Sequence, residues 1–214
     1  MPPAHSGYFL ADGARVPSVT QVISRFKDAG ALIHWAWKCG RDGHDYRVVR
    51  DKAADAGTMA HAAIEAHIRG REFVFDGDIE TCDRARCAFG AFLEWAEQTQ
   101  LRITHTELAL VSERYGFGGT MDAIVLRNGR AVGDWKASNA CYPEYLIQIA
   151  AYGQLWNENF PDEPITAGYH LLRFDKRFGD FHSHWWKELD RAWIAFRHLR
   201  ALWDIDLELR DRVS

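Results

Sequence analysis

Two aspartates and a lysine, Asp122, Asp134 and Lys136, stand in an otherwise apolar stretch from Gly118 to Ser138 that reads as a β-hairpin. Ala123-Ile124-Val125-Leu126 follows the first aspartate, and Val132 and Trp135 bracket the second. Charged side chains are almost never fully buried unless they are paired or bind a metal. The turn decides whether the three can act together. A strict two-residue turn at Asn128-Gly129 sets Asp134 opposite Ala123 and points Asp122 to the other side of the sheet. A three-residue loop, Arg127 to Gly129 with Gly129 left-handed, sets Asp122 directly opposite Asp134, and Lys136 follows on the same face. Facing carboxylates repel, but the pair becomes favourable with a divalent cation between them. The alternative open at this level is a sheet edge where Lys136 simply pairs with one aspartate.

The elements that would position these residues follow from periodicity. Ser18 with Gln21 fits a capping box opening a helix through Ala29, and "ALIHWAWKCG" after Gly30 gives a second. The polar segment from Arg41 to Arg50 reads as irregular. "GTMAHAAIEAHIRG" is a short helix closed by Gly70, and the stretch from Ile79 to Gln100 is a longer one with Ala88, Phe92 and Trp95 on its apolar face. The period then changes. "ITHTELALVSE" alternates as a strand, "GFGG" turns it, and "TMDAIVL" and "AVGDWKA" form the hairpin. Pro143 opens a helix through Asn159. "ITAGYHLLRF" and "FHSHWWK" are strands flanking a turn "DKRFGD", and a last helix runs from about Glu188 towards Arg210. This order predicts an α/β fold with a central mixed β-sheet flanked by helices. A single domain over 1–214 is expected, with a helical part at about 16–100, a sheet core at about 101–186 and a C-terminal helix at about 187–210.

Composition narrows the class. The chain is 47% hydrophobic and 26% charged, as soluble globular proteins are, and no apolar run approaches the roughly 20 residues of a membrane span. Its N-terminus lacks a basic region followed by an apolar stretch, so a cytoplasmic, intracellular protein is the expectation. A net charge of -4 argues against duplex binding driven by overall charge, but not against nucleic acid met through a metal site. Cys39, Cys82, Cys87 and Cys141 include no C-x-x-C pair and read as reduced thiols.

Gly-Thr-Met-Asp (119–122), Asp-Trp-Lys (134–136) and Gln-x-x-x-Tyr (148–152) together resemble the PD-(D/E)XK nuclease superfamily. The similar subgroup is the RecB-type one, with bacteriophage exonucleases and the mitochondrial genome maintenance exonuclease. "GTMAHAAIE" is similar to its helix carrying a metal-binding histidine, here His61. "HTELALV" places Glu107 where these proteins often have a strand glutamate, and "VPSVTQVI" resembles phage members. The resemblance covers roughly residues 16–175. It implies a restriction-endonuclease-like core and a DNA nuclease using Mg²⁺ or Mn²⁺, most simply an exonuclease leaning to single strands or DNA ends. Its other implied readings are an endonuclease or structure-specific nuclease with the same site, and a non-cleaving nucleic-acid-binding protein of the same fold. An intracellular or phage-encoded setting and recombination or repair proteins as partners are also implied.

The resemblance assigns Asp122, Asp134, Lys136 and Glu107 to catalysis. It assigns His61, Asp122, Asp134 and the Trp135 carbonyl to metal, and Gln148 and Tyr152 to the substrate or to orienting Lys136. Carboxylates suit hard divalent ions, which can activate water and clamp phosphate oxygens, and a lysine can stabilise developing charge. Members with an iron–sulfur cluster carry cysteines after the Gln-x-x-x-Tyr helix; none follows Cys141, so no such cluster is expected. Plainer readings remain beside these. His61 and Glu65 are one helical turn apart and could bond each other, and Glu65 could equally be a ligand. Glu107 could be a surface carboxylate, and Gln148 with Tyr152 a buried polar pair. His182 and His184 read as surface residues. Arg25, Lys27, Lys38, Arg41, Arg47, Arg50 and Lys52, interleaved with Trp35 and Trp37, suit a single-stranded substrate or a solvated helical face.

Overall fold

A computed structural model describes residues 7–138, 140–174 and 181–213. A short hairpin of β1 (Tyr8–Phe9) and β2 (Arg15–Val16), not foreseen from the sequence, precedes four helices: α1 (Val19–Arg25), α2 (Gly30–Arg41), α3 (Tyr46–Ile68) and α4 (Ile79–Thr99). Three strands follow, β3 (Arg102–Ser112), β4 (Phe117–Leu126) and β5 (Arg130–Ala137). Then come α5 (Pro143–Asn159), β6 (Ile165–Phe174), β7 (Phe181–Trp186) and α6 (Asp190–Asp211).

Local chemistry sets most boundaries. Ser18 and Gln21 form the expected capping box. The helix they open stops at Arg25 rather than Ala29, because Asp28 accepts the Gly30 N–H at 2.9 Å and a new helix starts there. Asp45 caps α3 by accepting the Arg47 N–H at 2.8 Å, so Arg47 to Arg50, expected to be irregular, is helical. The turn after β3 is also displaced. It lies at 113–116, where Ser112 Oγ accepts the Tyr115 N–H at 3.0 Å, and Phe117–Gly119 already belongs to β4. The segment "DKRFGD", 175–180, lies outside the described residues.

The five strands run β3-β4-β5-β6-β7 in one mixed sheet, antiparallel except for the parallel pair β5 and β6. Parallel neighbours need a long crossover, and α5 supplies it. Helices α1, α5 and α6 cover one face over a core of Val19, Met121, Ile124, Leu155, Trp156 and Phe196. Helices α3 and α4 cover the other, over Ile64, Phe92, Trp95, Val125 and Trp135. The expected α/β architecture with a mixed sheet between helices is therefore the one observed. Among the described residues no helix is long and apolar enough to cross a membrane.

The hairpin takes the three-residue loop. Ala123 faces Gly133 and Leu126 faces Arg130. Gly129 has φ 136°, a conformation that side chains rarely adopt. The two glycines ahead of Asp122 serve close packing instead. A Cβ on Gly118 would lie 2.2 Å from the Tyr8 ring, and one on Gly119 would lie 2.8 Å from Tyr152 and 3.1 Å from Val19. The first places the β1–β2 hairpin on β4, and the second seats α5 beneath the strand that carries Asp122. Gly119→Ala is expected to destabilise the fold by about 2 kcal/mol through overpacking, a fall in Tm of roughly 4–8 °C. Thermal denaturation checks it; an unchanged Tm would mean the Tyr152 ring yields without cost.

Candidate functional site

Strand register lines up three carboxylates. A bulge between Ile103 and His105 shifts β3 by one residue against β4. Thr106 then faces Ala123 and Leu108 faces Met121, which sets Glu107 against Asp122. On the other side of β4 the Ala123–Gly133 pairing, continued by one residue, sets Asp122 against Asp134. Glu107 has φ 50°, the left-handed region that costs an ordinary residue roughly 1–2 kcal/mol. The strand changes face there: His105 lies against Trp156 of α5 and Phe160 just after it, and Leu108, an odd number of residues on, packs into the same core.

Beyond Ala123 and Gly133 the Asp122 side chain itself bridges β4 to β5, with Oδ2 accepting the Trp135 N–H at 2.7 Å. The Trp135 ring is wedged edge-on against Phe92 and Trp95, anchoring the strand between two charged residues. From α3, His61 Nδ1 comes within 3.8 Å of the same Asp122 oxygen. His61, Glu107 and Asp122 each offer a ligand atom, all within 4.8 Å of one another, the one such cluster among the described residues. Two ligands on a Mg²⁺ ion at about 2.1 Å can be at most about 4.2 Å apart, so closing this set takes a movement of roughly half an ångström.

Asp134 is fully buried, with Lys136 Nζ 2.6 Å from its Oδ2. Lys136 is the cation beside Asp134, and one ammonium leaves lone pairs on the carboxylate free. A buried carboxylate in that state is costly unless a cation shares it. Burial raises its pKa to about 6, with the Asp122 charge adding and Lys136 opposing. Burial alone would lower the Lys136 ammonium, but Asp134 and Asp122 more than offset it and hold its pKa above the ordinary lysine value. Lys136 is thus a cation, as the charge count around it requires. Burial, then the Asp122 and Glu65 charges, raises Glu107 to about 7. Its side chain still reaches solvent, so water screens part of these effects. His61, Glu107 and Asp122 close together, with Asp134 on the next strand, offer a donor set that fits Mg²⁺ or Mn²⁺.

Helix α5 closes the other side. Gln148 Nε2 donates to the Tyr152 hydroxyl at 2.7 Å. Tyr152 is buried against Gly119, so it supports Gln148, which remains partly exposed. Tyr145, which sequence reasoning missed, shares this face and places its ring 5.6 Å from Lys136 Nζ. Its spacing to Gln148 and Tyr152, i, i+3 and i+7, was the available signal. Arg173 was also missed: it is buried on β6 and donates to the Ser138 carbonyl at 2.8 Å, fixing the end of the strand that carries Lys136.

Other candidates lie elsewhere. Glu65 pairs with Arg69 at 2.8 Å, and its charge acts on Glu107. His182 and His184 stack on β7, at the opposite edge of the sheet from β3. Much of the basic N-terminal set is already engaged: Arg25 with Asp206, Lys27 with Glu144, Arg41 with Asp42, Arg50 with Asp51 and Lys52 with Glu80. Trp35 is half-buried against Tyr46, whereas Trp37 is exposed under Arg41. All four cysteines are free.

No family model matches the sequence, and no curated protein matches it. Among solved structures the chain is similar to LHK-Exo in complex with dAMP, at 15% identity and a TM-score of 0.45, covering 74% of this chain and 86% of that one. It is similar to a candidate exonuclease from Eubacterium rectale, at 12% identity and a TM-score of 0.48, covering 67% of this chain and 64% of that one. LHK-Exo is an alkaline exonuclease from Laribacter hongkongensis, and a second structure of it aligns at 15% identity with a TM-score of 0.36, covering 76% and 92%.

The raised carboxyls fix a pH dependence. Glu107 and Asp134 bind protons more tightly folded than unfolded, so their contribution to stability is greatest in acid and is lost as pH rises from about 4 to about 7. In EDTA the Tm is expected to fall across that window. Mn²⁺ at 100 times its Kd should add about 2.7 kcal/mol, roughly 5–10 °C, at pH 8 and little at pH 5. A Tm shift with Mn²⁺ that is the same in Asp134→Asn as in the unaltered protein would place the ion elsewhere.

Proposed function

We propose that the protein is a metal-dependent deoxyribonuclease of the PD-(D/E)XK type, cutting phosphodiester bonds at DNA ends with a lean to single strands. The observation that carries this reading is the alignment of Glu107, Asp122 and Asp134 on three neighbouring strands beside His61 and Lys136. A purely structural ion pair would use one carboxylate for the one lysine; here Asp134 and Asp122 both act on Lys136, and Glu107 and His61 gather at Asp122 as well.

In this reading His61, Glu107, Asp122 and Asp134 hold Mg²⁺ or Mn²⁺, with the Trp135 carbonyl a further oxygen. The bound ion supplies a water acidic enough to attack near neutral pH and an electrophile for the phosphate oxygens. Lys136, held protonated by its carboxylates, stabilises charge growing on the phosphate. The Trp135 N–H keeps Asp122 oriented, and the Trp135 ring in its aromatic socket keeps the strand from sliding. Gln148, fixed by Tyr152, and Tyr145 above Lys136 face the position of a substrate backbone. Exposed Trp37, with Lys38 beside it in sequence, offers a stacking and electrostatic surface for a single strand.

End-labelled single- and double-stranded DNA with Mg²⁺, Mn²⁺ or EDTA tests this directly. Metal-dependent release of mononucleotides is expected, with closed circular DNA left intact. Lys136→Ala should lower kcat by roughly 100- to 1000-fold with a smaller effect on KM. Cleavage of the circle would transfer the site to an endonuclease, and binding without cleavage under every metal condition would sink the enzyme reading.

A further inference from the structure

The strand that pairs with β5 is irregular at the far end of the hairpin from the carboxylates. Arg130 faces Ile165 and Val132 faces Tyr169, so the single residue Ala131 is opposed by Thr166, Ala167 and Gly168. Bulges of this kind re-aim side chains and concentrate near functional sites. Gly168 has φ 88°, and a Cβ there would lie 2.2 Å from the Trp186 carbonyl and 3.1 Å from the Trp185 indole nitrogen. Glycine therefore allows β7 to close onto the bulge and sets the position of Trp185.

Between the bulge, the hairpin loop and the end of β7 is a cavity of about 360 Å³, within the range of small-ligand sites. Its floor is apolar, with Val125 and Ala131. The Trp185 indole N–H donates to the Ala167 carbonyl at 2.9 Å, which fixes the ring while leaving the residue 53% exposed. Arg127 and Lys187 are the lining's permanently charged side chains, and no acid lines it. Among the described residues neither cation forms an ion pair. Asn128 and Thr166 add hydrogen-bonding groups that accept and donate. Asp122 and Asp134 stand three residues back along their strands from Val125 and Ala131, about 10 Å away.

We propose that this cavity is a binding site for a nucleoside monophosphate, its base against Trp185 and its phosphate between Arg127 and Lys187. An oriented aromatic plane recognises a base, two free cations recognise a phosphate, and the volume suits one nucleotide. The site stands on this geometry whether or not the carboxylate centre cuts DNA.

Calorimetric titration of the full chain with dAMP and dCMP, in EDTA so that no metal bridges phosphate to the carboxylates, tests it. Saturable one-to-one binding is expected. Arg127→Gln, Lys187→Gln and Trp185→Leu should each weaken it roughly tenfold, about 1.4 kcal/mol, with Asp134→Asn leaving it unchanged. Deoxyadenosine and inorganic phosphate should each bind at least about tenfold more weakly than dAMP, since each has half of the contacts. Circular dichroism and an unchanged Tm show that the variants fold, and a single-residue variant that does not is replaced by charge reversal, Arg127→Glu. No saturable binding, equal binding in all three cavity variants, or binding lost only in Asp134→Asn would overturn the proposal. Nuclease activity measured on the same variants reads the other centre, so the two readings fail separately.

Discussion

Glu107, Asp122 and Asp134 occupy facing positions on three adjacent strands, and like charges so placed repel unless something positive lies among them. The protein supplies only part of that compensation. Lys136 balances Asp134, the Trp135 N–H satisfies one oxygen of Asp122, and His61 approaches the same oxygen. Glu107 is left to rise towards neutrality, and burial still raises Asp134 despite its lysine. Each of these is a cost that a divalent cation removes at once.

The rest of the fold holds that costly arrangement in place. Aromatic packing of Trp135 between Phe92 and Trp95 pins β5 from the α3–α4 side. Glycines 118 and 119 bring Tyr8 and Tyr152 into contact with β4 from outside and below, so the strand bearing Asp122 cannot shift without disturbing two rings. Helix α3 is long, capped at Asp45, and buries Ala60 and Ile64, which fixes His61 between them above the strands. The stability needed to keep repelling groups together thus comes from apolar packing on both faces of the sheet.

The meeting of Asp122 and Asp134 was legible in the sequence, because it depends on one loop and a glycine at its left-handed position marks that loop. Glu107 was legible as a candidate only by resemblance. Its opposition to Asp122 needs the bulge near Thr104 and its own left-handed backbone, and no glycine or proline there announces either. The start of α3 was hidden for a related reason: Asp45 is one acid in a polar run, and only its bond to the Arg47 N–H distinguishes a cap from a loop residue. The "GFGG" segment misled in the other direction. Its glycines suggested a turn, yet two of them exist to admit rings from residues 8 and 152, contacts that arise only once the chain is folded. The basic bias of the N-terminal third likewise overstated a free cationic surface, because the acids that engage it come largely from sequence neighbours and from α4, α5 and α6.

The central claim is that one ion sits at the carboxylates that the three strands align, and diffraction from crystals soaked in Mn²⁺ tests it most directly. The predicted result is an anomalous peak within about 2.2 Å of oxygens from Asp122 and Asp134, with His61 or Glu107 completing the shell. A strong peak elsewhere in the molecule with none at this site, or carboxylates that remain paired only with Lys136 at saturating Mn²⁺, would contradict it.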